Sequence, residues 1–70
     1  MKIKKISNEI IYREISGVLK LTVNGKNVSV SYYRKQDDTY NFYQNDYTIQ
    51  SHGLTDKEYD YVDEVWEDYI

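Results

Sequence analysis

Carboxylates are the most concentrated reactive groups in this chain of 70 residues, and seven of the twelve lie between residues 56 and 68. Such groups serve as general acids and bases or as ligands for hard cations. A calcium loop places its carboxylates at alternating positions around a glycine, whereas the spacing here is helical and directs them outward. Glycoside hydrolysis needs two carboxylates across a cleft, and so short a chain leaves little room for one. The pattern therefore predicts a charged surface rather than a catalytic or metal-binding centre.

Other catalytic groups are sparse. His52 is the only histidine, and it lies in a predicted loop beside Ser51 and downstream of Asp46. No Ser-His-acid spacing is recognisable, and the chain has neither a cysteine nor a glycine-rich phosphate loop. A lone loop histidine is usually a surface or capping residue. We therefore expect a protein without enzymatic activity, cofactor, metal or small-molecule substrate.

The clustered carboxylates belong to a predicted C-terminal helix. Thr55 and Glu58 match a capping box, which marks the start of a helix. At about 100° per residue, the helix has two faces. The apolar arc comprises Leu54, Tyr59, Val62, Val65, Trp66 and Tyr69, and the acidic arc comprises Asp56, Asp60, Asp63, Glu64, Glu67 and Asp68. Tyr61 flanks the acidic arc. The apolar arc must cover a core, and the acidic arc is either a solvated face or a binding face for a cationic partner.

The formal net charge of -3 conceals a division between the two halves of the chain. Residues 1–35 contain eight Lys or Arg and two Glu, whereas residues 36–70 contain one Lys and ten Asp or Glu. Such asymmetry indicates electrostatic partners. The two halves also have the charges to pair with each other, within one molecule or between copies.

A β-hairpin is predicted around Asn24-Gly25. The segments on both sides alternate apolar and polar residues, which is typical of half-buried strands. The Asn-Gly dipeptide is a strong hairpin signal because both residues tolerate positive φ. A two-residue loop pairs Leu21 with Val28, and a four-residue loop pairs Val23 with Val28. Both registers keep the apolar faces together, so both stay open.

Upstream of the hairpin, residues 1–7 are predicted as a first strand, a first helical turn or a frayed arm. Residues 9–15 are rich in Ile and Tyr, which favour strands. In that strand Ile10 and Tyr12 would share the apolar face of the hairpin. The alternative is a short N-terminal helix over residues 8–15.

Three further breaks organise the rest of the chain. Turns or bends are predicted at Ser16-Gly17, at residues 34–38 and at residues 44–46. Between the last two, residues 39–43 resume the alternation, with Tyr40 and Phe42 facing the core. The sequence thus predicts one α+β domain over residues 1–70, in which the C-terminal amphipathic helix packs on an antiparallel meander of three to four strands.

A second candidate surface lies on the outer face of the predicted sheet. Tyr33 and Tyr43 have the opposite parity to the core tyrosines, with Arg34 and Lys35 nearby. Aromatic and basic side chains on a sheet can bind single-stranded nucleic acid by stacking and phosphate contact. The RNP signature is absent, and a net negative chain lacks the basic footprint of a strong nucleic-acid binder. A solvated outer face is the alternative interpretation.

In character, the chain resembles the small acidic inhibitors of bacteriophages and mobile elements, among them anti-CRISPR proteins and other DNA mimics. The resemblance rests on size, the acidic arc, the tyrosine-rich sheet and the lack of a catalytic motif, and it involves no alignable motif. It implies an inhibitor whose acidic helix occupies a basic nucleic-acid-binding surface of a defence effector. The basic first half departs from mimics that are acidic throughout, so an inhibitor that does not imitate DNA is also open.

Two other hypotheses remain beside the inhibitor. The first is a single-stranded nucleic-acid-binding module, and the second is a homodimer or larger assembly in which the two charge halves pair between copies. No apolar run approaches the roughly 20 residues of a membrane span, and no signal peptide follows the N-terminal lysines. With no cysteine to form a disulfide, we expect the protein to act in the cytoplasm of a bacterial host.

Overall fold

The computed structural model describes residues 1–12, 16–36 and 43–70. Four strands are followed by a helix and a 3₁₀ turn. These are β1 Ile3–Tyr12, β2 Ser16–Val23, β3 Lys26–Gln36, β4 Tyr43–Ser51, α1 Asp56–Val65 and the 3₁₀ turn Trp66–Tyr69. The predicted core positions of Tyr40 and Phe42 lie outside the described residues.

The strands form one antiparallel sheet in the order β1-β2-β3-β4, which confirms the predicted meander and the α+β class. The alternative N-terminal helix is wrong for residues 8–12, which belong to β1. Register shifts fall between Lys5 and Ser7 and between Ile10 and Tyr12. Because of the second shift, Ile10 and Tyr12 do not occupy register positions on the same face, contrary to the prediction.

The hairpin between β2 and β3 has a two-residue loop. Val23 pairs with Lys26, so Leu21 pairs with Val28, which resolves the open register. Asn24 and Gly25 have φ values of 52° and 80°. Positive φ at both central residues is the type I′ geometry, whose twist matches that of the flanking strands.

Gly17 lies inside β2 rather than in the predicted tight turn. Ser16 pairs with Tyr33 and Gly17 with Tyr32, so both residues extend the strand. The reason for a glycine is the Tyr32 side chain, whose hydroxyl donates to Asn8 Oδ1 at 2.8 Å. A Cβ on Gly17 would lie 2.6 Å from the Tyr32 hydroxyl oxygen. Close approach of a neighbouring group is a common cause of glycine in a strand.

The other two predicted breaks overlap strands, although residues 37 and 38 of the predicted turn at 34–38 lie outside the described residues. Residues 34–36 belong to β3, and residues 44–46 belong to β4. Arg34 pairs with Asn45 and Lys35 with Gln44, so the hydrogen-bonded ladder continues through both polar segments. Polar residues are tolerated there because β4 is an edge strand of an antiparallel sheet.

The core lies between one face of the sheet and the C-terminal helical segment. Its buried residues are Leu19, Leu21, Val23, Val28, Val30, Tyr32, Val62 and Trp66. Residues packed around them are Ile3, Ile49, Leu54, Tyr69 and Ile70. The indole of Trp66 lies 5.6 Å from the Tyr32 ring and 4.9 Å from the Tyr47 ring, measured between centroids. Trp66 therefore joins the helical layer to β3 and β4.

The predicted C-terminal helix is an α-helix only as far as Val65, whose φ and ψ are -115° and -6°. The 3₁₀ turn that follows begins at Trp66 and ends at Tyr69. Residues three apart eclipse in a 3₁₀ helix, so Trp66 and Tyr69 lie on the same side, and both pack in the core. Glu67 and Asp68 consequently belong to the 3₁₀ turn and not to the α-helix.

Candidate partner-binding surface

The start of α1 is held in place by the carboxylate of Glu58, which is buried. Its Oε1 accepts from Lys26 Nζ at 2.7 Å and from the Thr55 backbone amide at 2.9 Å. Its Oε2 accepts from Asn24 Nδ2 at 2.8 Å. The Thr55 hydroxyl in turn accepts from the Glu58 amide at 3.2 Å, which confirms the predicted capping box.

These donors stabilise the charged form of Glu58. Lys26 is the largest influence, followed by the Thr55 amide and Asn24, and together they lower the pKa of Glu58 from 4.5 to about 2. The Oδ1 of Asn24 also accepts a hydrogen bond from the Lys2 backbone amide at 3.0 Å. The type I′ turn thus joins β1 to the helix start. The capping role was predictable from sequence, whereas the ion pair required the fold.

Internal charge pairing is limited in the part of the chain that the structure describes. The only ion pair found there joins Lys26 to Glu58, which is not a member of the acidic arc. The carboxylates of the acidic arc are all exposed; they are Asp56, Asp60, Asp63, Glu64, Glu67 and Asp68. We call these six residues the acidic face. None of them pairs with a described lysine or arginine.

Two exposed tyrosines border the acidic face. Tyr47 on β4 is 38% exposed, and its hydroxyl donates to Asp63 Oδ1. This hydrogen bond, followed by partial burial and the charge of Asp63, raises the pKa of Tyr47 above its ordinary value of 10.0. The position of Tyr47 could not be predicted, because residues 44–46 were interpreted as a break in the strand.

Tyr59 is the other exposed tyrosine, and its predicted place in the apolar arc is wrong. It is 43% exposed, whereas Glu58 before it is 5% exposed. The helix therefore turns Glu58, rather than Tyr59, toward the hairpin and its Lys26 partner. Tyr61, predicted to flank the acidic arc, is half-buried.

The predicted nucleic-acid-binding face is divided by the register of β3 and β4. Tyr33 pairs with Asp46, whereas Tyr43 pairs with Gln36. Because Tyr33 and Gln36 are three positions apart on β3, Tyr33 and Tyr43 occupy register positions on opposite faces of the sheet. Arg34 and Lys35 are adjacent and likewise alternate. The register therefore does not place the four residues on one face of the sheet, and Tyr33 pairs with Asp46, an exposed carboxylate.

His52 is exposed in the bend between β4 and α1. Within the described ranges, no group of three or more His, Asp or Glu side chains is placed to hold a metal ion. No described helix is long and apolar enough to cross a membrane. The acidic face with its tyrosine border is therefore the surface whose chemistry is most distinctive.

Known proteins do not assign a function to this surface. The chain matches no family model, and neither the curated proteins nor the solved structures compared with it gave a match. The functional argument consequently depends on the chemistry of the surface.

Proposed function

We propose that the protein is a non-enzymatic inhibitor that binds another protein through its acidic face. The observation that carries the proposal is the exposure of all six carboxylates without a described internal cation. Like charges four residues apart on a helix are mutually destabilising by a few tenths of a kcal/mol per pair. A cationic partner relieves this repulsion, so the face is suited to a surface rich in lysine and arginine.

The spacing of the carboxylates supports a surface that normally binds nucleic acid. Asp56 and Glu64 are separated by about 12 Å along α1 at 1.5 Å per residue, with Asp60 midway. A row of negative charges at intervals of a few ångströms offers a basic groove the electrostatic pattern of a phosphate backbone. Such complementarity accelerates encounter and disfavours partners of the wrong charge.

The class of target that fits this chemistry is a nucleic-acid-binding effector of a bacterial defence system, and an anti-CRISPR protein is the specific form of the proposal. Occupying the positively charged channel of such an effector would exclude its guide–target duplex or target strand. The activity requires neither a cofactor nor a bound metal, and its place is the cytoplasm of the bacterial host.

A charge-reversal experiment tests the proposal. Asp60→Lys/Glu64→Lys changes the acidic face by four charge units, and Asp46→Lys/Thr48→Lys/Gln50→Lys makes the same change on the outer sheet face. All five residues are exposed, so both variants should fold, which circular dichroism and thermal melts check. The assay is protection of a phage in bacteria that carry an active CRISPR system, repeated across CRISPR types.

We expect the natural chain and the outer-face variant to protect the phage from at least one CRISPR type. The acidic-face variant should bind its target at least tenfold more weakly, which is about 1.4 kcal/mol of binding free energy, and should therefore protect the phage less well. Equal protection by both variants would remove the acidic face from the mechanism. An absence of protection against every CRISPR type would contradict the anti-CRISPR assignment.

A further inference from the structure

The free edge of β1 has an unusual concentration of exposed isoleucine. Ile6, Ile10 and Ile11 are 55%, 48% and 67% exposed, and all three lie within six residues of this one strand. In the described sheet β1 pairs only with β2, so its other edge is unpaired. A long edge strand with exposed apolar residues is a template for pairing with another strand.

The two register shifts in β1 bear directly on these isoleucines. Ile6 lies at the first shift and Ile11 at the second. A bulge leaves its extra residue unpaired with the neighbouring strand and re-aims the side chain. Neither isoleucine therefore has a cross-strand partner in β2, and both remain in solvent.

We propose that this edge is the dimerisation surface of the protein, where β1 pairs antiparallel with β1 of a second copy about a twofold axis. Closed twofold dimers are the commonest oligomers, and they place the same patch on both sides of the contact. The patch is self-complementary in chemistry, because each copy brings the same isoleucines to cover those of the other.

The charges of β1 are compatible with this arrangement. Exposed Lys2, Lys4 and Lys5 lie at the beginning of the strand, and exposed Glu9 lies toward its end. With the axis near Ser7, Lys4 and its symmetry mate are six positions apart, or about 20 Å at 3.3 Å per residue. The lysines of the two copies therefore do not face each other, and Lys5 lies within two positions of Glu9 of the second copy.

The opposite edge is less suited to this role. Among residues 46–51 of β4, Tyr47 is the only large hydrophobic residue that is exposed, and its hydroxyl is bonded to Asp63. Pairing β4 with β1 of another copy would also leave a free edge at each end and extend without closure. The isoleucines thus favour β1 with β1.

A twofold axis perpendicular to the sheet would join the two sheets into one of eight strands, with both α1 helices on the same side. The acidic face is on the helical layer and takes no part in the contact. The dimer would therefore present two acidic faces to a partner, and linked sites of this kind strengthen binding through effective concentration. Dimerisation itself does not depend on the proposed inhibitory function.

Analytical ultracentrifugation of the full chain, from micromolar to millimolar protein, tests the dimer. We expect a monomer–dimer equilibrium that does not proceed to larger species. Ile6→Lys/Ile11→Lys should weaken dimerisation at least tenfold, whereas Thr48→Lys/Gln50→Lys, which adds the same charge at exposed positions on β4, should leave it unchanged. Thermal melts of both variants establish that each is folded.

A cysteine cross-link tests the geometry, because the natural chain has no cysteine. Ser7→Cys, at an exposed position near the proposed axis, should form a disulfide-linked dimer under mild oxidation, and Gln50→Cys should not. A monomer at every concentration would overturn the proposal. Loss of the dimer in Thr48→Lys/Gln50→Lys would also overturn it. So would a cross-link that forms through residue 50 and not through residue 7.

Discussion

At the scale of single residues, Glu58 shows how a polar group can be buried at little cost. Three donors from the hairpin and the helix cap surround its carboxylate, so the charge lost from water is compensated by charge-assisted hydrogen bonds. The sequence pattern predicted the cap because a capping box is local. It could not predict Lys26 and Asn24 as partners, which are more than 30 residues away.

Glu58→Gln is predicted to lower stability in a pH-dependent way. The folded-state pKa of about 2 lies below the ordinary 4.5, so the carboxylate stabilises the fold above pH 4.5, and this contribution is lost as the pH falls toward 2. The free energy of unfolding, measured with urea from pH 7 to pH 2, should therefore differ most between the two proteins at neutral pH. The difference should shrink on acidification.

The matched control is Glu64→Gln, which changes an exposed carboxylate of the same helix. It should follow the natural chain across the whole pH range within about 0.5 kcal/mol, as surface substitutions usually do. A pH-independent loss in Glu58→Gln would contradict the role given to its charge.

At the scale of elements, local patterns predicted the hairpin, the helix start and the strand alternation, because each depends on residues close in the chain. The predictions were wrong at positions whose structure depends on residues that are distant in the chain. Gly17 was interpreted as a turn residue, but the Tyr32 side chain explains it. Residues 44–46 were interpreted as a break, but pairing with β3 keeps them in a strand. Tyr59 was placed in the apolar arc, but Glu58 is the residue buried there.

Gly17→Ala is predicted to destabilise the sheet by about 1–3 kcal/mol, the usual cost of inserting an extra carbon into a filled space. The new Cβ would lie 2.6 Å from the Tyr32 hydroxyl and 2.7 Å from the Glu9 carbonyl oxygen. Because one of these atoms belongs to the backbone of β1, the strand itself must shift. Urea unfolding measures the loss.

Ser16→Ala, at the preceding position of the same strand, is the control and should cost less than the glycine substitution. Combining Gly17→Ala with Tyr32→Phe should recover part of the loss, because the closest atom is removed. If Gly17→Ala left stability unchanged, the close approach of Tyr32 would not be the reason for the glycine.

At the scale of the whole molecule, the division of charge along the sequence becomes a division between surfaces. Among the described residues, Glu58 is the only carboxylate of the acidic half, residues 36–70, that forms an internal ion pair. The remaining helix carboxylates are exposed, whereas three exposed lysines lie on and just before β1. The asymmetry was visible from composition alone. Its distribution over the surface required the register of the sheet and the orientation of α1.

The most direct test of the account is a competition between this protein and target DNA for a purified CRISPR effector complex that it inhibits in cells. We predict that the protein and DNA exclude each other. The affinity of the protein should fall as salt rises, because exposed charges are screened. Asp60→Lys/Glu64→Lys should bind more weakly and with a shallower salt dependence than Asp46→Lys/Thr48→Lys/Gln50→Lys. Simultaneous binding of DNA and protein, or equal salt dependence of the two variants, would contradict the claim that the acidic face occupies the nucleic-acid site.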